Sequence, residues 1–416
     1  MTLNKPKLFY GYIIALASFI ILALVMGGLD SFGVFFEPVL VEFGWTRAMT
    51  SGAFSLALIV SGLLSMGVGR LNDRIGPRLI LTASGLFSGL GFLLMSRISV
   101  IWQLYLFFGA MIGIAVSGSV VASLSTIARW FVKRRGMMTG FAMAGTGAGS
   151  IIMPLLLNRL ISNYGWRASF FAVGIISLVV IVIAAQFTRR NPQSKGQLPD
   201  GEAEVKQENS QSEVRGLSLR EASRTRQLWL FTATFFCLGF SIFSVMVHIV
   251  IHATGLGIAT TSAVSTLPII GGLSTSGRIM MGITSDKIGS RKALIISLFF
   301  MLVALIWLQF AKEAWMLYIF AAFFGFAWGS SFVLMSPMIA DLFGLSSHGV
   351  LFGVVQAGMT LGAFIGPIAT GYIFDITGSY RQGFLILGVV GVIGLILAVL
   401  LQLAGTNAGE YQRAHH

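Results

Sequence analysis

Apolar residues run in twelve stretches along this chain: 10–37, 46–69, 79–97, 101–128, 137–162, 167–188, 227–252, 260–284, 292–311, 314–341, 349–374 and 383–404. A helix needs about 20 such residues to cross the hydrocarbon core of a bilayer, so the pattern predicts twelve membrane helices and no soluble core. Polar residues gather between the stretches, and one polar segment occurs twice. Gly69-Arg70-Leu71-Asn72-Asp73-Arg74-Ile75-Gly76-Pro77-Arg78 separates the second stretch from the third, and Gly282-Ile283-Thr284-Ser285-Asp286-Lys287-Ile288-Gly289-Ser290-Arg291 separates the eighth from the ninth. Glycine, aspartate, a cation, isoleucine, glycine and arginine hold the same places, 213 residues apart. Gly136, Gly140, Gly145, Gly149 and Pro154 recur at that offset as Gly349, Gly353, Gly358, Gly362 and Pro367, while Gly113, Ala128 and Phe131 recur at 212 as Gly325, Ala340 and Phe343. One six-helix unit is used twice, the arrangement of many transporters.

The expected organisation is an N-terminal bundle over 1–188, a linker over 189–226 and a C-terminal bundle over 227–416. The linker is rich in Gln, Glu, Ser, Asn, Pro and Gly and lacks the apolar surface to fold alone. Within it, Ser218 and Glu221 have the spacing of a capping box.

Composition supports the membrane reading: 56% of the residues are apolar and 10% charged, against roughly 25% charged in soluble domains. The net charge of +13 raises nucleic acid as a partner, and its distribution answers that. If both termini are cytoplasmic, inner loops and tails hold 21 of the 28 Lys and Arg residues. This is the positive-inside bias, so the expected partner is the lipid bilayer, the expected location a multi-pass one in the inner (plasma) membrane, and nucleic acid is excluded. The first stretch is too long for a signal peptide and lacks a cleavage site, so it is expected to remain in the mature protein. The lone cysteine, Cys237, lies within an apolar stretch.

Charges inside the stretches carry the candidate chemistry, because each costs at least ~2.5–3.5 kcal/mol to place mid-membrane. Arg278 is one. Its guanidinium stays protonated and offers a planar fork that matches a carboxylate; a snorkelling or ion-paired arginine is the alternative. Asp30 is another: buried, it would take a proton near neutral pH; near the headgroups it would be solvated and inert. His248 and His252 stand four apart and share a helix face, but no acidic residue follows the first as a zinc hydrolase requires, so no metal is expected. His248, the deeper, suits hydrogen bonding to an anion or proton sensing.

Ser117 and Ser119 fall at places matching Ser330, Ser331 and Phe332, near mid-membrane, where substrate contact and ordinary packing are both open. Gly145-x-Gly147-x-Gly149 is not set between a strand and a helix, so it reads as helix packing and not as a cofactor loop. No nucleophile–base pair, metal cluster or cofactor motif supports an enzyme. In the repeated segment, Gly69 and Gly282 permit close helix approach. Asp73 and Asp286 suit helix capping, and Arg74, Arg78, Lys287 and Arg291 suit pairing with carboxylates across the loop, as a gate requires.

This repeated segment resembles the signature of the major facilitator superfamily. A second motif narrows the resemblance. Trp130-Phe131-Val132-Lys133-Arg134-Arg135-Gly136, continuing to Ala142-Met143-Ala144-Gly145, looks like the monocarboxylate transporter signature at the entry to span five, with Met137 and Met138 in place of the usual Leu-Ala. The other signature of that family is reduced here to Tyr10-Gly11-Tyr12. The resemblance implies an all-α fold of twelve spans in two bundles that rock about a central site, and it places the family's carboxylate-binding arginine at Arg278. The family's lysine on span one and its aspartate four residues before the arginine fall at Asp30 and Ser274. Its charge relay therefore does not transfer, and Asp30 is left to supply the acid from another helix.

The expected function is secondary active transport of a small monocarboxylate, of the lactate or pyruvate class, with a proton and without cofactors, by a monomer. Arg278, His248, Phe332, Ser117 and Ser274 are the expected substrate contacts, and Asp30 and His248 the expected proton carriers. The alternatives are an anion exchanger of the oxalate–formate type and, further off, a proton-driven drug exporter. Oxalate exchangers place a second cation in span eleven, whereas residues 349–374 contain no Lys or Arg.

Overall fold

The structure, a computed structural model, describes residues 9–201 and 216–414. Among them every regular element is helical: α1 Gly11–Asp30, α2 Phe32–Phe43, α3 Arg47–Ile75, α4 Pro77–Met95, α5 Ile101–Leu104, a π-helical stretch Tyr105–Ile112, α6 Gly113–Trp130 and α7 Arg135–Phe187. Short 3-10 turns follow at Pro192–Lys195 and Pro199–Gly201, then α8 Leu219–Ala222, α9 Arg226–Gly255, α10 Thr260–Val264, α11 Thr266–Ile288, α12 Ser290–Leu308, α13 Ala314–Phe343, α14 His348–Thr377 and α15 Tyr380–Ala414.

Ten helical segments among the described residues are long and apolar enough to cross a membrane. Two facts reconcile this with twelve spans. The 53 residues of α7 hold spans five and six, broken at Gly165 (φ 78°, ψ 165°). Span eight is α11, whose serines, threonines, glycines and Arg278 dilute its apolar content. Span one is longer than its sequence pattern and is interrupted. Ser31 turns its hydroxyl back to the Gly27 carbonyl at 2.5 Å, competing with the helix ladder, and α2 restarts beyond it.

The repeated polar segment is helical over most of its length, which corrects the expectation of a turn from Gly69 to Arg78. Nothing in Gly69–Ile75 breaks a helix, so α3 runs on to Ile75 and the chain reverses only at Gly76 (φ 89°, ψ 165°). Its mate Gly289 has φ 88° and ψ 146°. Both angles are strained for a residue with a Cβ, which explains glycine at this position of each copy. Gly165 and Gly378, also 213 apart, both have positive φ as well, so the repeat extends to the turns before spans six and twelve.

The chain forms two compact units, Met1–Ser61 with Val68–Gly216, and Gly62–Gly67 with Leu217–His416. In the first, α1 and α4 pack on α7, and α4 on α6. In the second, α9 packs on α14 and α15, and α12 on α13 and α15. Sequence repeats have become repeated pairings. Gly145 and Gly149 lie against the backbone of Phe19 and Ala23 on α1, the packing role read for them. The capping box also forms: Ser218 Oγ accepts from the Glu221 amide at 3.3 Å, and Glu221 Oε2 accepts from the Ser218 amide at 2.8 Å.

Candidate functional site

Arg278 lies ten residues before the end of α11, about 15 Å along the axis at 1.5 Å per residue. It is 8% exposed, an arginine buried in the middle of a membrane helix. One turn earlier Ser274 is buried too, its hydroxyl donating back to Gly271 O at 2.8 Å. Across from them on α13, Ser330 is fully buried and its Oγ reaches Gly277 O at 3.4 Å. Phe332 is half-buried on α13. Ser331 bonds back to Ala327 O at 2.9 Å, so its hydroxyl is taken up by its own helix.

His248 belongs to a separate cluster in the same unit. Its Nε2 stands 3.0 Å from the Pro367 carbonyl on α14, and its Nδ1 3.3 Å from the Tyr380 hydroxyl on α15. A carbonyl only accepts, so Nε2 carries hydrogen, while the Tyr380 hydroxyl is able either to donate to Nδ1 or to accept from it. The ring's orientation is thereby fixed by two helices. Tyr380, which sequence reasoning did not single out, is what orients it. His252 packs edge-on against Phe384 at 4.9 Å.

In the first unit, Asp30 closes α1 and is exposed. Ser150 Oγ on α7 donates to its carboxylate. Ser117 on α6 is 3% exposed, and its hydroxyl has no hydrogen-bond partner among the described residues. Ser119 donates to Val116 O at 3.0 Å.

The gate residues behave differently in the two repeats. Asp73 Oδ1 pairs with Arg129 Nη2 on α6 at 3.1 Å, both side chains 11% exposed. Arg190 Nη2 donates to the Asp73 carbonyl at 2.5 Å. Arg74 is exposed, and Arg78 Nε donates to the Gln186 amide oxygen at 2.7 Å, not to a carboxylate. In the second unit Asp286 and Lys287 are exposed and Arg291 is half-buried. The counterpart of Arg129, at the 212 offset, is Asp341, which accepts from Ser290 Oγ at 2.7 Å. The cation that pairs with Asp73 in the first repeat thus has a carboxylate at its place in the second. Arg129 was legible in sequence only as an anchoring cation; the sign reversal at its repeat mate was the signal available.

The start of the linker is ordered against the first unit. Trp130 Nε1 donates to Arg189 O at 2.8 Å, and Tyr10 N to Gln197 Oε1 at 3.0 Å. Asp200 accepts from the amides of Val132 and Lys133 at 2.9 and 2.8 Å. Three segments singled out by sequence, around Tyr10, Asp73 and Val132, are thus tied together by residues 189–200, a role sequence reasoning missed. Among the described residues there is no cluster of His, Cys, Asp and Glu fit to hold a metal ion.

Paired helical repeats, charged turns at matched positions and a buried arginine in a membrane span define a multi-pass membrane transporter. The chain belongs to the Major Facilitator Superfamily, whose model matches residues 18–284 and again 274–412. It is similar to Monocarboxylate transporter 13 of Rattus norvegicus, 26% identical over 394 residues that cover 91% of this chain and 86% of that protein. It is likewise similar to the oxalate:formate antiporter of Oxalobacter formigenes, 26% identical over 401 residues covering 92% and 89%. An MFS-type transporter of Escherichia coli, YhjX, is 28% identical over 320 residues covering 76% of each chain. Among solved structures the Escherichia coli fucose:proton symporter matches with a TM-score of 0.71 over 95% of this chain and 99% of that one, at 16% identity, which speaks to the fold alone.

Proposed function

We propose that this transporter carries a small monocarboxylate, of the lactate or pyruvate class, together with a proton, by alternating access of two six-helix bundles, 1–188 and 227–416, joined by the linker 189–226. The observation that carries the reading is Arg278, a permanent cation 8% exposed in the middle of α11. One fixed cation suits one negative charge, and its fork suits a carboxylate bidentately. Ser274, Phe332, His248 and Ser117 are the further substrate contacts proposed. The printed functions of two relatives, a monocarboxylate transporter and an oxalate:formate antiporter, support an organic anion as substrate. The second favours the exchanger as the alternative, against which stands the absence of Lys and Arg from residues 349–374.

Coupling to a proton makes monoanion uptake electroneutral, avoiding ~2.3 kcal/mol per 100 mV. Asp30 and His248 are the proton carriers proposed, Asp30 by exchange at its Ser150 bond and His248 by protonation at Nδ1. The gate assignment of Asp73, Arg74, Arg78, Asp286, Lys287 and Arg291 remains part of the proposal, now with Arg129 as the partner of Asp73. Uptake of radiolabelled short carboxylates at two external pH values is the test. Lactate uptake should rise as external pH falls, flatten in Asp30→Asn or His248→Gln, and vanish in Arg278→Gln, with Arg278→Lys recovering little. Near-normal affinity in a folded Arg278→Gln protein refutes the anion assignment, and anion-for-anion counterflow without pH dependence selects the exchanger.

A further inference from the structure

The contact between α11 and α13 is tightest beside Arg278. A methyl group added at Gly329 would run into the carbonyl of Ser274 and lie 2.8 Å from its Cα. One added at Gly277 would run into the carbonyl of Phe326 and lie 2.9 Å from Ser330 Oγ. The glycines are reciprocal, one on each helix, each receiving backbone of the other, and backbone cannot swing aside as a side chain does.

The first repeat shows which part of this contact belongs to the fold. Gly325 on α13 sits against Ile270, and its mate Gly113 on α6 sits in the same way against Ala57, the mate of Ile270. That glycine contact is shared. The next turn is not: Gly329 stands where the first half has Ser117, Gly277 where it has Leu64, and Arg278 where it has Ser65. The close contact is thus extended by one helical turn only in the half that carries the arginine, and only at the arginine's level.

We propose that Gly277 and Gly329 are positioning residues for the anion site, holding α11 on α13 so that the backbone of Arg278 is fixed while its side chain carries the fork to the carboxylate. This rests on Arg278 being the anion ligand. With each helix's carbonyl seated on the other's glycine, α11 neither rolls nor slides on α13. A displacement of about 1 Å at such a site costs up to ~100-fold in function.

The test compares purified, reconstituted variants with L-lactate, formate and oxalate as probes. Gly277→Ala and Gly329→Ala should raise KM roughly tenfold or more while maximal rate per folded transporter changes less. Gly325→Ala, in the shared contact one turn away, should lower thermal stability and leave KM near wild type. A wild-type KM in folded Gly329→Ala and Gly277→Ala, or an equal KM rise in Gly325→Ala, overturns the inference. If neither alanine variant folds, Ser330→Ala, which only removes an atom from the clamp, should raise KM about threefold by loosening the same geometry, and an unchanged KM refutes it. Arg278→Gln separates the two levels: normal binding there removes the ligand reading itself, whereas abolished binding with unaffected glycine variants removes the positioning role alone.

Discussion

At one end of the first unit, Glu42 at the end of α2 is tied to α7 and, through Arg167, to the loop after α4. Trp166 Nε1 donates to its Oε2 at 2.7 Å, Arg167 pairs with its Oε1, and the same guanidinium reaches the Ile98 carbonyl at 3.3 Å. The hydrogen bond from Arg167 holds the Glu42 carboxyl below its ordinary range, outweighing what burial does in the opposite direction. A lowered carboxyl pKa stabilises the fold fully above the unfolded value, about 4.3, and loses that contribution as pH falls through the lower folded value. Glu42 is 40% exposed, so the pair contributes at most ~1 kcal/mol. Glu42→Gln should lower the melting temperature by no more than a few degrees at neutral pH, and the difference should shrink as pH falls below about 4.3 and through the lower folded value. A gap that does not shrink with acidification refutes the ionic origin. At this scale sequence legibility depended on whether a residue's setting was local. Arg278 and the Ser218–Glu221 box were readable from their own neighbours. The exposure of Asp30 was not, because it depends on where α1 ends and on what packs around that end.

Helix ends set the contrast between the two gates. Asp73 leaves the last turn of α3 to pair with Arg129 on α6 in a mostly buried setting, where removing one partner costs about 3–5 kcal/mol. Asp286, its mate on α11, is exposed. Asp73→Asn should therefore lower thermal stability in detergent far more than Asp286→Asn, and Arg129→Gln should add little to Asp73→Asn in a double-mutant cycle. An effect of Asp73→Asn no larger than that of Asp286→Asn would refute the energetic contrast between the two gates. Helix positions were legible from apolar runs, but their ends were not, since the polar residues of Gly69–Ile75 suit a helix as well as a turn. Only the glycine that permits positive φ stops each helix.

For the molecule as a whole, the apolar runs and the repeat together made the twelve-span fold readable in advance, α11 included, although its serines, threonines, glycines and Arg278 dilute its apolar content. Between Ile101 and Gly113 the first half also carries one residue more than the second, balanced again by Gly136 and Gly349, and the π-helical stretch shows where. Met95 and Leu308 end matching helices at an offset of 213, and Ile101 and Ala314 begin the next pair at 213, yet Gly113 and Gly325 match at 212. The extra residue therefore lies inside the helix, between Ile101 and Gly113, where Tyr105–Ile112 is wound as a π-helix. An added residue in a regular helix rotates everything beyond it by about 100°. A wider turn absorbs the addition, and Gly113 still meets Ala57 as Gly325 meets Ile270. The wide turn thus accommodates one residue that the matching helix of the second half does not carry. Removing one residue from Tyr105–Ile112 should return the segment to α-helix and leave a folded transporter, whereas removing one from Val116–Ala122, where no wide turn stands, should abolish folding; equal loss in both would refute that accommodation.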